Sequence, residues 1–227
     1  ASDRISECRK QMSSVEVARG VISTEIAALE SMASRLNGDF EKAVAIIQQA
    51  RGRVVILGMG KSGIIGKKIA ATMASTGTTS FFVHPGEAFH GDLGMLRSMD
   101  VALLISNSGE TEELIRLLPF MQDQKIQVIA MTGKSDSTLA RHADVVLDVS
   151  VAKEACSNNL APSSSTTATL VMGDALAVAL STLRGFQPED FARFHPGGSL
   201  GRRLLTRVGD DALRLARIRV DLAQRQV

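Results

Sequence analysis

Arg53-Val54-Val55-Ile56-Leu57-Gly58-Met59-Gly60-Lys61-Ser62-Gly63 decides the fold of this chain. A β-branched apolar run ends in glycine, and a glycine-rich turn with a central lysine follows it. The run is continuously apolar rather than alternating, as expected of a strand buried on both faces of a parallel sheet. Similar runs lie downstream at 80–83, 101–105, 127–131 and 145–149, with helical patterns between them at 64–76, 112–123 and 137–142. A longer helical pattern spans 165–183, apolar nearly all round, which predicts a buried helix or one at a subunit interface. Upstream, Val15, Ala18, Ile22, Ile26, Leu29 and Met32 recur at helical spacing. Asn37-Gly38-Asp39 interrupts that helix, and a second one resumes over 40–50. The alternation predicts an α/β fold: a three-layer, doubly wound parallel sheet of about five strands flanked by helices, flavodoxin- or Rossmann-like. Chemistry is then expected in the loops beyond the carboxyl ends of the strands.

Composition narrows the function classes. Of 227 residues, 44% are hydrophobic and 22% charged, which supports an ordinary globular core. Twenty-six Lys and Arg against 24 Asp and Glu leave a net charge of +2. That balance argues against a nucleic-acid partner or a membrane surface. The aromatics are all Phe, with no Trp or Tyr, which argues against base-stacking platforms. Cys8 and Cys156 cannot build a disulfide framework and point to a reducing, cytoplasmic setting. Cys156 reads as a small buried hydrophobe. No apolar stretch is read as approaching the ~18 residues of a membrane span, and 1–10 lack the apolar core of a signal peptide.

The loops after the strands carry the candidate chemistry. Gly58-Met59-Gly60-Lys61-Ser62-Gly63 fits the dinucleotide-binding pattern G-x-G-x-x-G. No acidic residue ends the second strand to hold a ribose, however, and a Walker A reading would need glycine where Val55 stands. What survives is a glycine turn whose N–H groups and lysine face a ligand, against a plain strand-to-helix turn. Ser106-Asn107-Ser108-Gly109-Glu110-Thr111 places three hydroxyls and an amide at a helix N-terminus, which suits a phosphate monoester. A simple N-cap would need only one of them. Pro162-Ser163-Ser164-Ser165-Thr166-Thr167 heads the long helix in the same way. Glu113, Glu154 and His195 are loop or first-turn ionisable groups of the type that moves a proton between adjacent carbons. His84 and His90 flank Pro85-Gly86-Glu87, a weak metal-pair signal.

Taken in order, these motifs together with His90-Gly91-Asp92-Leu93-Gly94, Lys153-Glu154-Ala155-Cys156, Leu160-Ala161-Pro162 and His195-Pro196-Gly197-Gly198 closely resemble the sugar isomerase (SIS) domain of bacterial arabinose-5-phosphate isomerases. The resemblance runs from about Phe40 to about Leu205. It implies interconversion of D-ribulose 5-phosphate and D-arabinose 5-phosphate, feeding Kdo for lipopolysaccharide or capsule, in a cytoplasmic homotetramer with sites at subunit junctions. The family's catalytic residues fall on Lys61, Glu113, Glu154 and His195. Its substrate contacts fall on His90 and on Ser106, Ser108 and Thr111. Gly60, Ser62, Thr78, His84, Asn107, Ser165 and Thr166 complete the expected substrate-binding set. No cofactor is required, and His84 is implicated in binding an inhibitory zinc. Most family members continue into paired CBS modules. The expectation here is an N-terminal helical segment over 1–38, a SIS domain over 39–208 and a tail over 209–227 without those modules. Ser157-Asn158-Asn159 also departs from the proline-containing loop of the family.

The implied chemistry is an enediol mechanism. His195 or Glu113 would move the carbon-bound proton, Glu154 would shuttle the proton between oxygens or open the ring, and Lys61 would stabilise the oxyanion. A non-catalytic sugar-phosphate sensor on the same fold, or an isomerase of another phosphosugar, stays open at this point.

Overall fold

The computed structural model describes residues 13–195. Strands β1 (Val54–Gly58), β2 (Ser80–Val83), β3 (Val101–Ile105), β4 (Gln127–Thr132) and β5 (Val145–Asp148) form one parallel sheet in the order β2-β1-β3-β4-β5. The expected doubly wound sheet is therefore present. The central strands β1, β3 and β4 are apolar nearly throughout because each feeds two cores, whereas the edge strand β5 alternates, burying Val145 and Leu147 and leaving Val146 and Asp148 half-buried. Val54, Ile56, Leu103 and Ile129 pack on one face with Ile69, Met73, Met172 and Leu176. Val55, Leu57, Leu104 and Ala130 pack on the other with Leu114, Leu117 and Met121. The period of two survives, but both phases are hydrophobic.

Helices α1 (Ser14–Ser34), α2 (Gly38–Gln49), α3 (Gly60–Ser75) and α8 (Ser164–Leu183) cover the first face. The short helices α4 (Pro85–Ala88), α5 (Glu112–Ile115), α6 (Leu118–Asp123) and α7 (Thr138–His142) cover the second, and α9 (Pro188–Phe194) follows α8. The opening of α1 is written in its sequence. Ser13 Oγ accepts the Glu16 N–H at 3.2 Å, and the Glu16 carboxylate accepts the Ser13 N–H at 2.8 Å. Met32 carries α1 into the main core.

Three expectations need correction. The helix read over 112–123 is two helices, because Pro119 has no N–H and its ring crowds the carbonyl four residues back. Helix α3 begins at Gly60, which puts Lys61 and Ser62 in its first turn. And α8 is long and apolar enough to cross a membrane by length and composition; its hydroxyl residues and Gly173 interrupt what is still a hydropathic window. It packs as a core helix against α3, where a Cβ on Gly173 would meet Ile69 side-chain atoms at 2.4 Å. Nor is it buried all round, since Val178 and Leu183 stay exposed.

The topology fixes where a ligand can sit. β1 pairs with β2 on one side and with β3 on the other, and Gly58 lies opposite Ile105. The chain leaves these two adjacent strand ends in opposite directions, which opens a crevice at their carboxyl ends.

Candidate active site

The glycine turn after β1 and the hydroxyl loop after β3 enter that crevice side by side. Gly60 has φ +52°, a conformation that costs glycine nothing and lets the chain turn directly from strand to helix. A cavity of about 240 Å³ lies above it, lined by Met59, Lys61, Ser62, Asn107, Pro162, Ser165, Thr166 and Thr169. Residues from β1, β3 and α8 therefore converge on one space. A second cavity of about 300 Å³ adjoins it, sharing Asn107 and Pro162 and adding Lys134, Lys153, Glu154 and Asn159 among its walls. Lys61 and Glu154 stand on the two sides of Asn107.

The hydroxyl loop is wound on itself. Ser106 Oγ lies 2.7 Å from Thr111 Oγ1 and accepts the Gly109 N–H at 3.0 Å. Ser108 Oγ accepts the Glu110 N–H at 3.2 Å. The Glu110 carboxylate accepts the Thr138 N–H at 2.7 Å, which ties the loop to the start of α7. Gly109 has φ +66°, and a Cβ there would lie 2.0 Å from Ser137 Oγ. Hydroxyls held this way are fixed before any ligand arrives. Glu113 stands half-buried in the first turn of α5, directly behind the loop.

Glu154 is held harder than any other candidate. Its carboxylate accepts the Ser163 N–H at 2.8 Å, the Ser163 hydroxyl at 3.1 Å and the Ser165 N–H at 3.2 Å, and also the Ser165 hydroxyl. It thus caps α8 from nine residues upstream, with its charge on the positive end of the helix dipole. Burial pushes its pKa up, but the hydrogen bonds from Ser165 and Ser163 outweigh that and hold it below the usual carboxylate range. The group is therefore a carboxylate near neutral pH. A depressed folded-state pKa adds stability above the ordinary value of 4.5, and that stability is lost as pH falls through the folded-state pKa. Glu154→Gln is therefore expected to cost about 0.5–2 kcal/mol at pH 7, as for a lost N-cap. The cost should vanish in acid. Urea unfolding of both proteins at pH 7 and about pH 3 checks this, and an equal difference at both would refute it.

The remaining candidates fall elsewhere in the chain. His84 is exposed; its Nδ1 accepts the Gly86 N–H at 3.2 Å, capping α4. His90 is exposed on the turn after α4. Both sit on the loop beyond β2 and outside the walls of the two cavities. Among the described residues no group of three or more His, Cys, Asp or Glu is disposed to hold a metal, and His84, with Nδ1 engaged, has Nε2 to offer.

Thr78 lies away from these two cavities within one chain. It precedes β2 and so lies at the amino end of the sheet, buried, with its Oγ1 accepting from Arg184 at 2.7 Å. His195 is at that end too. Helix α8 starts in the site and runs back across the sheet for about 30 Å at 1.5 Å per residue. Arg184 then donates to the Gly77 carbonyl at 2.9 Å, and α9 ends at His195. The His195 ring stacks on Phe191 at 3.9 Å, and its Nδ1 lies 2.9 Å from the Phe191 carbonyl. A carbonyl only accepts, so in the neutral ring the proton is on Nδ1 and the lone pair on Nε2. Within one chain His195 does not reach Lys61. The rest of its motif, Pro196-Gly197-Gly198, lies outside the described residues, as do Cys8 and the 209–227 tail.

Cys156 also differs from its reading. It is only half-buried, and its Sγ accepts the N–H groups of Leu160 and Ala161 at 3.1 Å each. The Ala161 and Leu160 donors hold the thiol below its ordinary pKa. Sequence reading missed Thr169, and it placed Ser163 only within the hydroxyl cluster, not as the partner of Glu154. Thr169 sits one helical turn after Ser165 and donates to its carbonyl at 2.8 Å, so the i, i+4 spacing from Ser165 was the available signal.

Comparison with known proteins agrees with this geometry. The chain is 55% identical over 201 residues to the "Probable arabinose 5-phosphate isomerase" of Haemophilus influenzae, covering 88% of this chain and 60% of that protein. It is 57% identical over 196 residues to the "Arabinose 5-phosphate isomerase KdsD" of Pseudomonas aeruginosa, covering 86% of this chain and 60% of that protein. This chain thus spans about 60% of the length of these curated relatives. A solved E. coli CFT073 structure in complex with arabinose 5-phosphate shares 44% identity and a TM-score of 0.78, covering 80% of this chain and 97% of that one. The SIS domain model matches residues 46–179, from the end of α2 to late in α8. The glycine turn, the hydroxyl loop and the head of α8 that surround Asn107 are those of a SIS domain, the family to which this chain belongs.

Proposed function

We propose that the protein is an aldose–ketose isomerase interconverting D-arabinose 5-phosphate and D-ribulose 5-phosphate. One observation carries the reading: a lysine and a hydrogen-bonded carboxylate line two adjoining cavities that share Asn107, a residue of the pre-formed hydroxyl loop. The relatives named arabinose 5-phosphate isomerase and the neighbour solved with that sugar phosphate support the substrate. Glu154 already occupies the anion-attracting head of α8, so a phosphate there would meet a carboxylate. The phosphate is left to Ser106, Ser108 and Thr111 and the head of α5. The reacting carbons then point toward Lys61 and Glu154.

Anchoring the phosphate makes the proton transfers effectively intramolecular. A base takes the C2 proton of the aldose, and the electron pair of that C–H bond forms the C1–C2 double bond of an enediolate. The C1 carbonyl electrons move to O1, where Lys61 meets the developing charge. The proton returns to C1, and the O2 proton passes to O1 to leave the ketose. Glu154, held ionised, suits the oxygen-to-oxygen shuttle. The carbon-bound proton belongs to Glu113 or to His195 through Nε2. For His195 the reading requires sites shared between copies of the chain in a homotetramer. The scheme draws on no cofactor. A zinc ion reaching His84 would act as an inhibitor. The product would serve Kdo synthesis for lipopolysaccharide or capsule in the cytoplasm.

A panel of pentose, hexose and heptose phosphates tests the reading. Arabinose 5-phosphate is expected to turn over fastest and to exchange its C2 proton with solvent. Binding without exchange would instead favour a sensor, and preference for a hexose or heptose phosphate would overturn the substrate.

A further inference from the structure

A cavity of about 400 Å³ opens at the amino ends of β1 and β3, the end of the sheet opposite Lys61. Arg51, Arg53, Arg97 and Thr79 line it, together with Gly52 and Asp100. Asp100 organises it. This residue is only 3% exposed, and its carboxylate accepts the N–H of Arg53 at 2.8 Å, the N–H of Arg97 at 2.9 Å and Arg53 Nη2 at 3.1 Å. Burial pushes its pKa up, but the Arg53 hydrogen bonds, the Arg97 N–H and the Arg53 charge outweigh that and keep it ionised. Gly52 allows the approach, since a Cβ there would lie 2.4 Å from Asp100 Oδ1.

Arg53 is further fixed. Its guanidinium lies 4.5 Å from the Phe81 ring centroid, and Nη2 also donates to the Met95 carbonyl at 2.7 Å. One buried carboxylate therefore pins two arginine-bearing positions, Arg53 and the backbone of Arg97, beside a space that Arg51 also lines, and its charge is matched by Arg53 alone. The guanidinium groups of Arg51 and Arg97 have no hydrogen-bond or ion-pair partner among the described residues. Three cations and one anion leave +2 at this cavity, as much as the net charge of the whole chain. A structural Arg53–Asp100 bridge needs neither of the other two arginines. Guanidinium forks match phosphate oxygens bidentately, and Arg53 is already held in place for such a ligand while the two unpaired guanidinium groups are left to close on it.

We propose that this cavity binds a diphosphate group, with Arg51 and Arg97 gripping the two phosphoryl ends and Arg53 and Thr79 between them. The ligand is inorganic pyrophosphate or the diphosphate end of a nucleotide. Its site is separate from the hydroxyl loop and independent of the isomerase reading.

Isothermal titration of the full chain with inorganic pyrophosphate and with ADP tests this, comparing the wild type with R51Q/R97Q. Both side chains are exposed and bonded to nothing among the described residues, so the variant should melt with the wild type and keep its KM for sugar phosphate. The wild type is expected to bind one pyrophosphate per chain here, and each lost guanidinium should weaken binding about tenfold or more. ADP binding tighter than pyrophosphate identifies a nucleotide as the source, and the reverse identifies the free ion. Equal binding by wild type and variant would assign the anion to the Ser106–Thr111 loop and overturn the proposal. Failure of the wild type to bind either ligand would overturn it too.

Discussion

Lys61→Ala is expected to lower kcat for the pentose-phosphate isomerisation by about 10²–10³-fold, the usual cost of removing a group aimed at a developing oxyanion. Lys61 sits in the first turn of α3, where the helix dipole disfavours a cation. It has no acidic partner among the described residues, while Lys68 two turns along the same helix pairs with Asp174. A charge placed against the dipole and left without a counter-ion is available to the cavity it lines. Its interaction grows as O1 gains charge, so kcat should fall more than KM rises. Lys61→Arg should recover little, because a planar fork cannot occupy the place of a compact ammonium beside Ser62 and Asn107. Steady-state kinetics and C2-proton exchange of the three proteins check this. Near-native turnover in Lys61→Ala would remove the lysine from the mechanism.

Much of this site could be read from the chain. The strands were legible because both of their faces are apolar, and the loops were legible because one cap does not need three hydroxyls. The order of the strands was not. That β1 lies between β2 and β3, so that Gly58 comes opposite Ile105, is a long-range fact no local pattern encodes. It is also what brings Lys61 beside Asn107. Thr78 and His195 both fall at the amino end of the sheet within one chain, and closeness to a strand in sequence does not say which end of the sheet a residue occupies. Glu154 was found by motif, but its partners Ser163 and Ser165 lie beyond a loop whose closure only the structure reveals. Cys156 was misread for the same reason, since its donors Leu160 and Ala161 belong to that closure.

The position of His195 leads to the second large effect. Its sequence motif joins it to the site, yet α8 carries the chain away from Lys61 by about 30 Å before α9 begins. If the histidine acts, it acts in the crevice of another copy. His195→Ala alone should then lose about 10²–10⁴-fold in turnover, as for a missing acid–base group. The decisive experiment mixes two inactive proteins. Suppose sites are shared pairwise across a two-fold interface, and Lys61→Ala and His195→Ala chains are dissociated and reassembled together. Each mixed pair then holds one site with both substitutions and one site with neither. Random pairing makes half of the pairs mixed, so about a quarter of wild-type activity should return from two dead parents. A site completed within one chain would give no recovery, because every site would keep one substitution. The exposed Val178 and Leu183 on α8 offer apolar surface where such a pair could meet. The same mixture made with Lys61→Ala and Glu154→Gln is the control. Those two residues line adjoining cavities of one chain, so their mixture should stay inactive.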